Sequence, residues 1–271
     1  MTMDTTEGFG SDAQRALLRR GRMTYEITAR DPRFTYYGRT AGLVSPADGS
    51  FDELAALARL QGNSNYGSVP VRDMGPLLEA SIAAGFSPVQ YTRWTGGKSA
   101  LEKASDMVAR NPLPGGLRTE WLGAETTAQV RASFGKMALG CGVLPPSHDA
   151  LTGQIKPGMT LLAVTPEGQV VSCATAVAFL NRGHPDAGVE CWWGMLATDP
   201  EWRGQRLSLI LGAKVIGEMA YRHGFSRFFT GVEPGNAPSE AVCTRLGLND
   251  TDFNILSISD ASLVPGGRMT K

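Results

Sequence analysis

One stretch constrains the architecture more than any other. Val189 to Thr198 (VECWWGMLAT) is apolar enough for a buried strand, and the breaker-rich DPEWRGQR follows it. Leu207 to His223 then repeats apolar residues at Leu207, Leu211, Val215 and Met219, with Ile210 and Ile216 alongside. Lys214, Glu218 and Arg222 fall on another face, the pattern of an amphipathic helix. Gly224 stands where a helix closes in the left-handed conformation, and Ser226 to Val232 reads as a second strand. Strand, helix, strand implies a parallel pair joined by a right-handed crossover.

What precedes this unit reads differently. Leu117 to Gly123 is a strand and a helix lies near Glu125 to Leu139. Met159 to Val164 and Gln169 to Phe179 are strands joined by the turn Pro166-Glu167-Gly168, and His184-Pro185-Asp186 turns into the third. An antiparallel meander running into a crossover gives an α/β (mixed α+β) fold: a mixed central sheet flanked by helices. A helix near Ser239 to Leu246 stopped by Gly247, and a strand over Phe253 to Ser259, complete it.

At 271 residues the chain holds one large domain or two small ones. The densest breaker cluster, NPLPGG at 111–116, places a boundary between an N-terminal region, 1–112, and a second domain, 113–271. The N-terminal region shows a frayed terminus over 1–11, a basic helix from Asp12 to Arg22 and a strand at Phe34–Tyr37. Helices follow at Phe51–Leu60, Asp73–Ala84 and Ser99–Arg110, with a strand, FSPVQYTRW, at 86–94.

Composition excludes several classes. The chain is 42% hydrophobic and 19% charged, with 26 basic and 26 acidic residues. A neutral chain lacks the field that draws nucleic acid or anionic membrane. Four cysteines (Cys141, Cys173, Cys191 and Cys243) form no CxxC pair and there are three His, so no metal site and no disulfide framework is expected. The first residues have neither a basic nor an apolar signal region, and no apolar window reaches membrane-spanning length. A cytoplasmic protein is the expectation.

The junction Thr198 to Ser208 carries the chemistry. A helix N-terminus offers unpaired N–H groups and a positive dipole end to an anion such as pyrophosphate. Gly204 allows close backbone approach, and Arg203 and Arg206 add charge. The plainer reading is a surface loop with two solvated arginines.

The ordered set around this junction resembles the GNAT superfamily of N-acetyltransferases. The family has a strand ending in a Val-x-Pro-like step, then Arg/Gln-x-x-Gly-x-Gly/Ala, a long helix, a strand, an Asn, and a helix ending in Leu-Gly-Phe. This chain reads Thr198-Asp199-Pro200, Arg203-Gly204-Gln205-Arg206-Leu207-Ser208, helix, strand, Asn236, then Leu246-Gly247-Leu248. With the meander, the resemblance covers about residues 117–259. It implies an acetyl-CoA site. Backbone groups of Leu196 and Thr198 would pair with pantetheine, and the amides of Arg203, Gly204, Gln205, Arg206, Leu207 and Ser208 would hold the pyrophosphate. Asn236 and Ser239 would contact the pantetheine arm.

Two departures stand out. Arg206 replaces a glycine of the motif, and its guanidinium is expected to reach a phosphate; the alternative is that it blocks the site. Cys243 replaces the family's frequent general acid, a Tyr seven residues after the Asn; packing competes with proton donation as its role. Glu233 and Glu190, at strand ends, are the candidate bases, although a solvated strand-end carboxylate is the plainer reading of each, and water is an alternative proton relay. The adjacent Trp192 and Trp193 face opposite sides of their strand.

These residues imply an acyl-CoA-dependent N-acyltransferase, transferring acetyl to an amine of a small molecule or protein, without nucleic-acid or membrane partners. The alternative is a non-catalytic CoA-binding or interaction module of the same fold. A phosphate-binding loop at Gly96-Gly97-Lys98-Ser99 fails, because Thr92 holds the position of its first glycine. AAGFSPVQYTRW at 83–94 echoes RHGFSRFFTGVE at 222–233, so the N-terminal region is open to being a degenerate second GNAT-like unit. Such a unit would supply an acceptor-site wall or a homodimer surface.

Overall fold

The computed structural model describes residues 9–264; the frayed-terminus reading of residues 1–8 lies outside them. Ser11 instead starts helix α1 (Asp12–Thr28), through a capping box in which Ser11 and Gln14 satisfy each other's backbone N–H. Strands β1 (Phe34–Tyr36) and β2 (Ala41–Leu43), helix α2 (Phe51–Gln61), strand β3 (Asn63–Pro70), helix α3 (Met74–Ala83), strand β4 (Ser87–Gly96) and helix α4 (Lys98–Arg110) follow. Past residue 112 come β5 (Arg118–Trp121), α5 (Ala128–Gly140), α6 (His148–Leu151), β6 (Gly158–Val164), β7 (Val170–Ala178) and β8 (Glu190–Thr198). Helix α7 (Leu207–His223), β9 (Arg227–Val232), α8 (Ala237–Arg245) and β10 (Asn249–Ser259) end the fold.

The ten strands of the described residues form one mixed sheet, in the order β1-β2-β3-β10-β4-β9-β8-β7-β6-β5. The pair β8–β9 is parallel with α7 as its crossover, as the apolar periodicity dictates. Leu207, Leu211, Val215 and Met219 are all buried against the sheet. Trp193 is fully buried beneath α7, and its indole N–H donates to Gly212 O at 3.1 Å. A Cβ on Gly212 would stand 2.8 Å from that ring, so the helix can approach only as glycine. A buried ring of this size is worth about 3–5 kcal/mol on truncation.

The N-terminal region repeats the same order of elements. Strand β2, helix α2, strand β3, helix α3 and strand β4 correspond to β8, α7, β9, α8 and β10, and β2 and β3 are again parallel. The last strand of each set lies inside the other. β10 pairs antiparallel with both β3 and β4, and β4 pairs antiparallel with β9. Sheet hydrogen bonding therefore runs unbroken past the breaker cluster at 111–116. By position, residues 83–94 correspond to the approach to β10, with Gly85 matching Gly247. The sequence echo had aligned them with residues 222–233.

The sheet also curls back on itself. Tyr36 N donates to Phe179 O at 2.9 Å, and Thr35 bridges Leu180. Lys156 Nζ fastens this seam by donating to Tyr36 O, Phe179 O and Asn181 Oδ1 at 3.1, 2.8 and 3.3 Å. Burial lowers its pKa to about 7. Period-two alternation sorts the faces of β10: Leu256 and Ile258 pack under α2 and α3, while Ile255, Ser257 and Ser259 face the space that the curl encloses.

Gly21 lets α1 sit directly on the segment after β1. A Cβ there would lie 1.9 Å from Arg39 O. Helix propensity alone would make Gly21→Ala stabilising by about 1 kcal/mol. The contact reverses the sign: the variant should lose about 1–3 kcal/mol, as overpacked cores do. A rise in its thermal midpoint would refute this packing.

Candidate acyl-CoA site

The site begins where two strands part. Glu190, Cys191 and Trp192 pair in parallel with Arg227, Phe228 and Phe229, and the pairing then stops. β8 stays bonded to β7 through Thr198, so its other edge is open beyond Trp192. Backbone N–H and C=O groups on an open edge need partners. From Trp192 to Thr198 that edge is about 20 Å long at the rise of a strand.

Left-handed backbone occurs within the edge and at the start of α7. Among the described residues two non-glycines have positive φ, Met195 (52°) and Arg206 (61°). Met195 lies where the β7–β8 register shifts, so a bulge turns β8 away from regular pairing. Gly194 keeps the gap clear, since a Cβ would meet the Trp192 ring at 2.9 Å and Thr230 Oγ1 at 3.3 Å.

The gap opens into a cavity of about 760 Å³. Of the residues singled out from sequence, the structure gathers Leu196, Thr198, Arg203, Ser208, Glu233, Asn236, Ser239 and Cys243 around it. Thr198 Oγ1 lies 2.9 Å from both Ser172 Oγ and Ser208 Oγ, joining the strand end to the helix start. Arg203 Nε donates to Thr198 O at 3.3 Å, which holds this exposed side chain at the cavity mouth. Asn236 Oδ1 accepts from Ser239 N at 3.3 Å and caps α8.

Gly204, Gln205, Arg206, Leu207 and Glu190 are not among the lining residues. Gly204, Gln205 and Arg206 form the exposed turn into α7, and Leu207 is buried beneath it. Arg206 turns from the phosphate-facing role expected of it and donates to Asn111 Oδ1 at 2.8 Å. Glu190 is buried at the other end of β8, bonded to Arg93 at 2.6 Å and Arg227 at 2.9 Å. Cys243 is buried, and desolvation pushes its thiol up to about 12. Lys98 is exposed and lies 3.7 Å from Glu102 on its own helix.

The two crossover helices differ at their N-termini. α2 is closed by the Ser50–Glu53 capping box and carries Asp52 and Glu53 in its first turn. The box occupies the Glu53 amide, and the two carboxylates repel anions. α7 has no side-chain cap and no acid in its first turn. Only the second repeat presents a helix start suited to phosphate.

Sequence reasoning raised a wall from the N-terminal region but named none of its residues. Tyr37, Arg39, Asn65, Val89, Tyr91 and Ser257 line the same cavity. Trp192 points to that side, its ring 4.9 Å from that of Tyr37. Correct alignment of the internal repeat was the one signal able to place them.

Residues 139–248 match the sequence model of the acetyltransferase (GNAT) family. Over this segment the sequence carries the pattern of that family. A solved GCN5-related N-acetyltransferase from Kribbella flavida is 15% identical, with a TM-score of 0.53 over 93% of this chain and 96% of its own. A Drosophila protein of solved structure is 16% identical, with a TM-score of 0.53 over 91% and 89%. A tandem GNAT protein from the clavulanic acid biosynthesis pathway is 16% identical, with a TM-score of 0.50 over 77% and 67%. At these identities the likeness is one of fold. No curated protein sequence matches significantly. Among the described residues, no group of His, Cys, Asp and Glu could hold a metal ion. No described helix is long and apolar enough to cross a membrane.

Left-handed backbone costs a non-glycine residue about 1 kcal/mol or more. Arg206→Gly should therefore raise stability by roughly 0.5–1 kcal/mol, despite losing the exposed bond to Asn111, and leave acetyl-CoA affinity unchanged. Thermal unfolding and calorimetric titration check both parts. Weaker binding would return Arg206 to the phosphate site.

Proposed function

We propose that the chain is an acyl-CoA-dependent N-acyltransferase that transfers acetyl from acetyl-CoA to an amine. The observation that carries this reading is the continuity of the open β8 edge, the cavity and the uncapped start of α7. Pantetheine is an extended chain of amides and can add to the free edge as a further strand. The amides of 204–208 and the Arg203 guanidinium receive the pyrophosphate, the Arg203 amide being taken up by Pro200 O at 3.4 Å.

Transfer requires a neutral amine, an oriented thioester and a stabilised oxyanion. Glu233, on the cavity wall just past β9, takes the ammonium proton directly or through water. Free N–H groups of β8 receive the oxyanion as the amine nitrogen bonds to the thioester carbon; the C–S bond then breaks and CoA leaves as a thiolate that takes its proton from solvent. Cys243 packs rather than donates, because a thiol at about 12 holds its proton too tightly. The absence of a tyrosine at that position is also the observation that favours a non-catalytic CoA-binding module. The two readings separate at turnover.

Acetyl-CoA at about 100 times its dissociation constant should stabilise the protein by roughly 2.7 kcal/mol, or several degrees at about 2–4 °C per kcal/mol. Arg203→Ala should reduce that shift. Glu233→Gln should preserve it and lower turnover by about 10²-fold or more, as loss of a general base does. No shift with acetyl-CoA would overturn the site. A shift without acetylation of any amine would leave the binding module.

A further inference from the structure

The far wall of the cavity holds a buried cation without a counter-charge. Arg39 is 6% exposed, yet no carboxylate lies within 4 Å of its guanidinium among the described residues. One Nη donates to Tyr37 Oη at 3.4 Å, and Nε is buried with no hydrogen-bond partner. The guanidinium carbon stands 5.4 Å from the Tyr37 ring and 5.8 Å from the Trp192 ring, which support the cation from the side. A buried, unpaired guanidinium is costly, and its planar fork matches a carboxylate.

Arg39 belongs to the end of the cavity away from the phosphate loop. It sits by Trp192, the last β8 residue paired with β9, about 20 Å along the strand from Thr198. Three lining residues carry formal charge: Arg39, Arg203 and Glu233. Arg203 serves the loop and Glu233 follows β9, so one positive charge faces the inner end. That balance suits a monoanion rather than a phosphate dianion. Asn65 and Ser257, paired across β3 and β10, add polar groups, while Phe179, Phe229 and Ile255 make the rest apolar.

We infer that Arg39 binds the carboxylate of the acceptor, so that the substrate is an amine carrying a carboxylate and an apolar body, of amino-acid type. The inference rests on the acyl-transfer reading for the amine and on Arg39 alone for the carboxylate. Glu233 then handles the ammonium while Arg39 holds the carboxylate, which turns the amine toward the thioester.

The test presents phenylalanine, leucine and the straight ω-amino acids of three to six carbons, each beside its carboxamide and its phosphonate. Acetyl-CoA is supplied and thiol release is followed. The full chain should use carboxylates with kcat/KM at least tenfold above carboxamides and phosphonates. Arg39→Gln should erase that preference and keep acetyl-CoA affinity within twofold; Arg39→Lys should retain part of it. Arg39→Met should raise the thermal midpoint, which a residue kept for stability would not do.

Equal use of carboxamides, a preference for phosphonates, or a preference that survives Arg39→Gln would overturn the inference. Binding is read separately by thermal shift without acetyl-CoA. Carboxylates that stabilise the wild type but not Arg39→Gln support the inference even if no amine is acetylated, in which case only the acyl-transfer reading falls. Absence of both shift and turnover with every carboxylate overturns it.

Discussion

Everything in the site follows from the loss of pairing between β8 and β9 beyond Trp192 and Phe229. While the strands are paired, their backbone groups satisfy each other and the sheet is closed. Once they part, β8 presents an open edge in the interior of a protein, where unpaired N–H and C=O groups are expensive. The Met195 bulge and the small Gly194 maintain the parting, and the wide rings of Trp192 and Phe229 stand at its base. A turn over residues 199–206, in which the Asp199, Glu201, Trp202 and Arg203 amides are already bonded, carries the chain from this edge to the uncapped start of α7, and Thr198 and Ser208 join the two through their hydroxyls.

The gap becomes an enclosed cavity because the N-terminal elements complete its wall. β4 occupies the far edge of β9, β10 lies beyond it, and β1 returns to the end of β7. The two repeats are thus mutually dependent: each completes its sheet with the other's last strand. They have also diverged in use. The first repeat closes its crossover helix with Ser50 and Glu53 and contributes wall residues; the second leaves its helix open. The buried Glu190 belongs to this scaffold, where it ties β8 to Arg93 of β4 and Arg227 of β9.

Much of this was legible in the sequence wherever periodicity was strong. Helix α7 runs over the residues that its four-residue repeat marks, and the 166–168 turn joins β6 to β7. Trp192 and Trp193 part to opposite faces as adjacent strand residues must. β3 escaped notice because NSNYGSVP is polar and glycine-rich, poor material for a strand by propensity. Its place between β2 and β10 is set by tertiary pairing, and its polar residues have work there: Asn63 donates to Ser257 and Ser259 at 2.9 Å, and Asn65 lines the cavity. The exchange of β4 and β10 was invisible because strand order leaves no local trace. The motif marked Leu196, Thr198, Arg203 and Ser208 of the cavity lining, whereas Arg39, far away in sequence, reaches the same cavity because β1 returns to the end of β7. For Arg206 a motif position supplied charge without orientation, and Asn111 decides where the guanidinium goes.

The most direct test of the account is amide hydrogen exchange with and without acetyl-CoA, resolved to single residues. The open edge predicts new protection at those amides of 194–198 that β7 leaves free, and across 204–208, with no comparable gain at the start of α2. Protection confined to other elements, or equal at both helix starts, would contradict the claim that the parted strands of the second repeat form the ligand site.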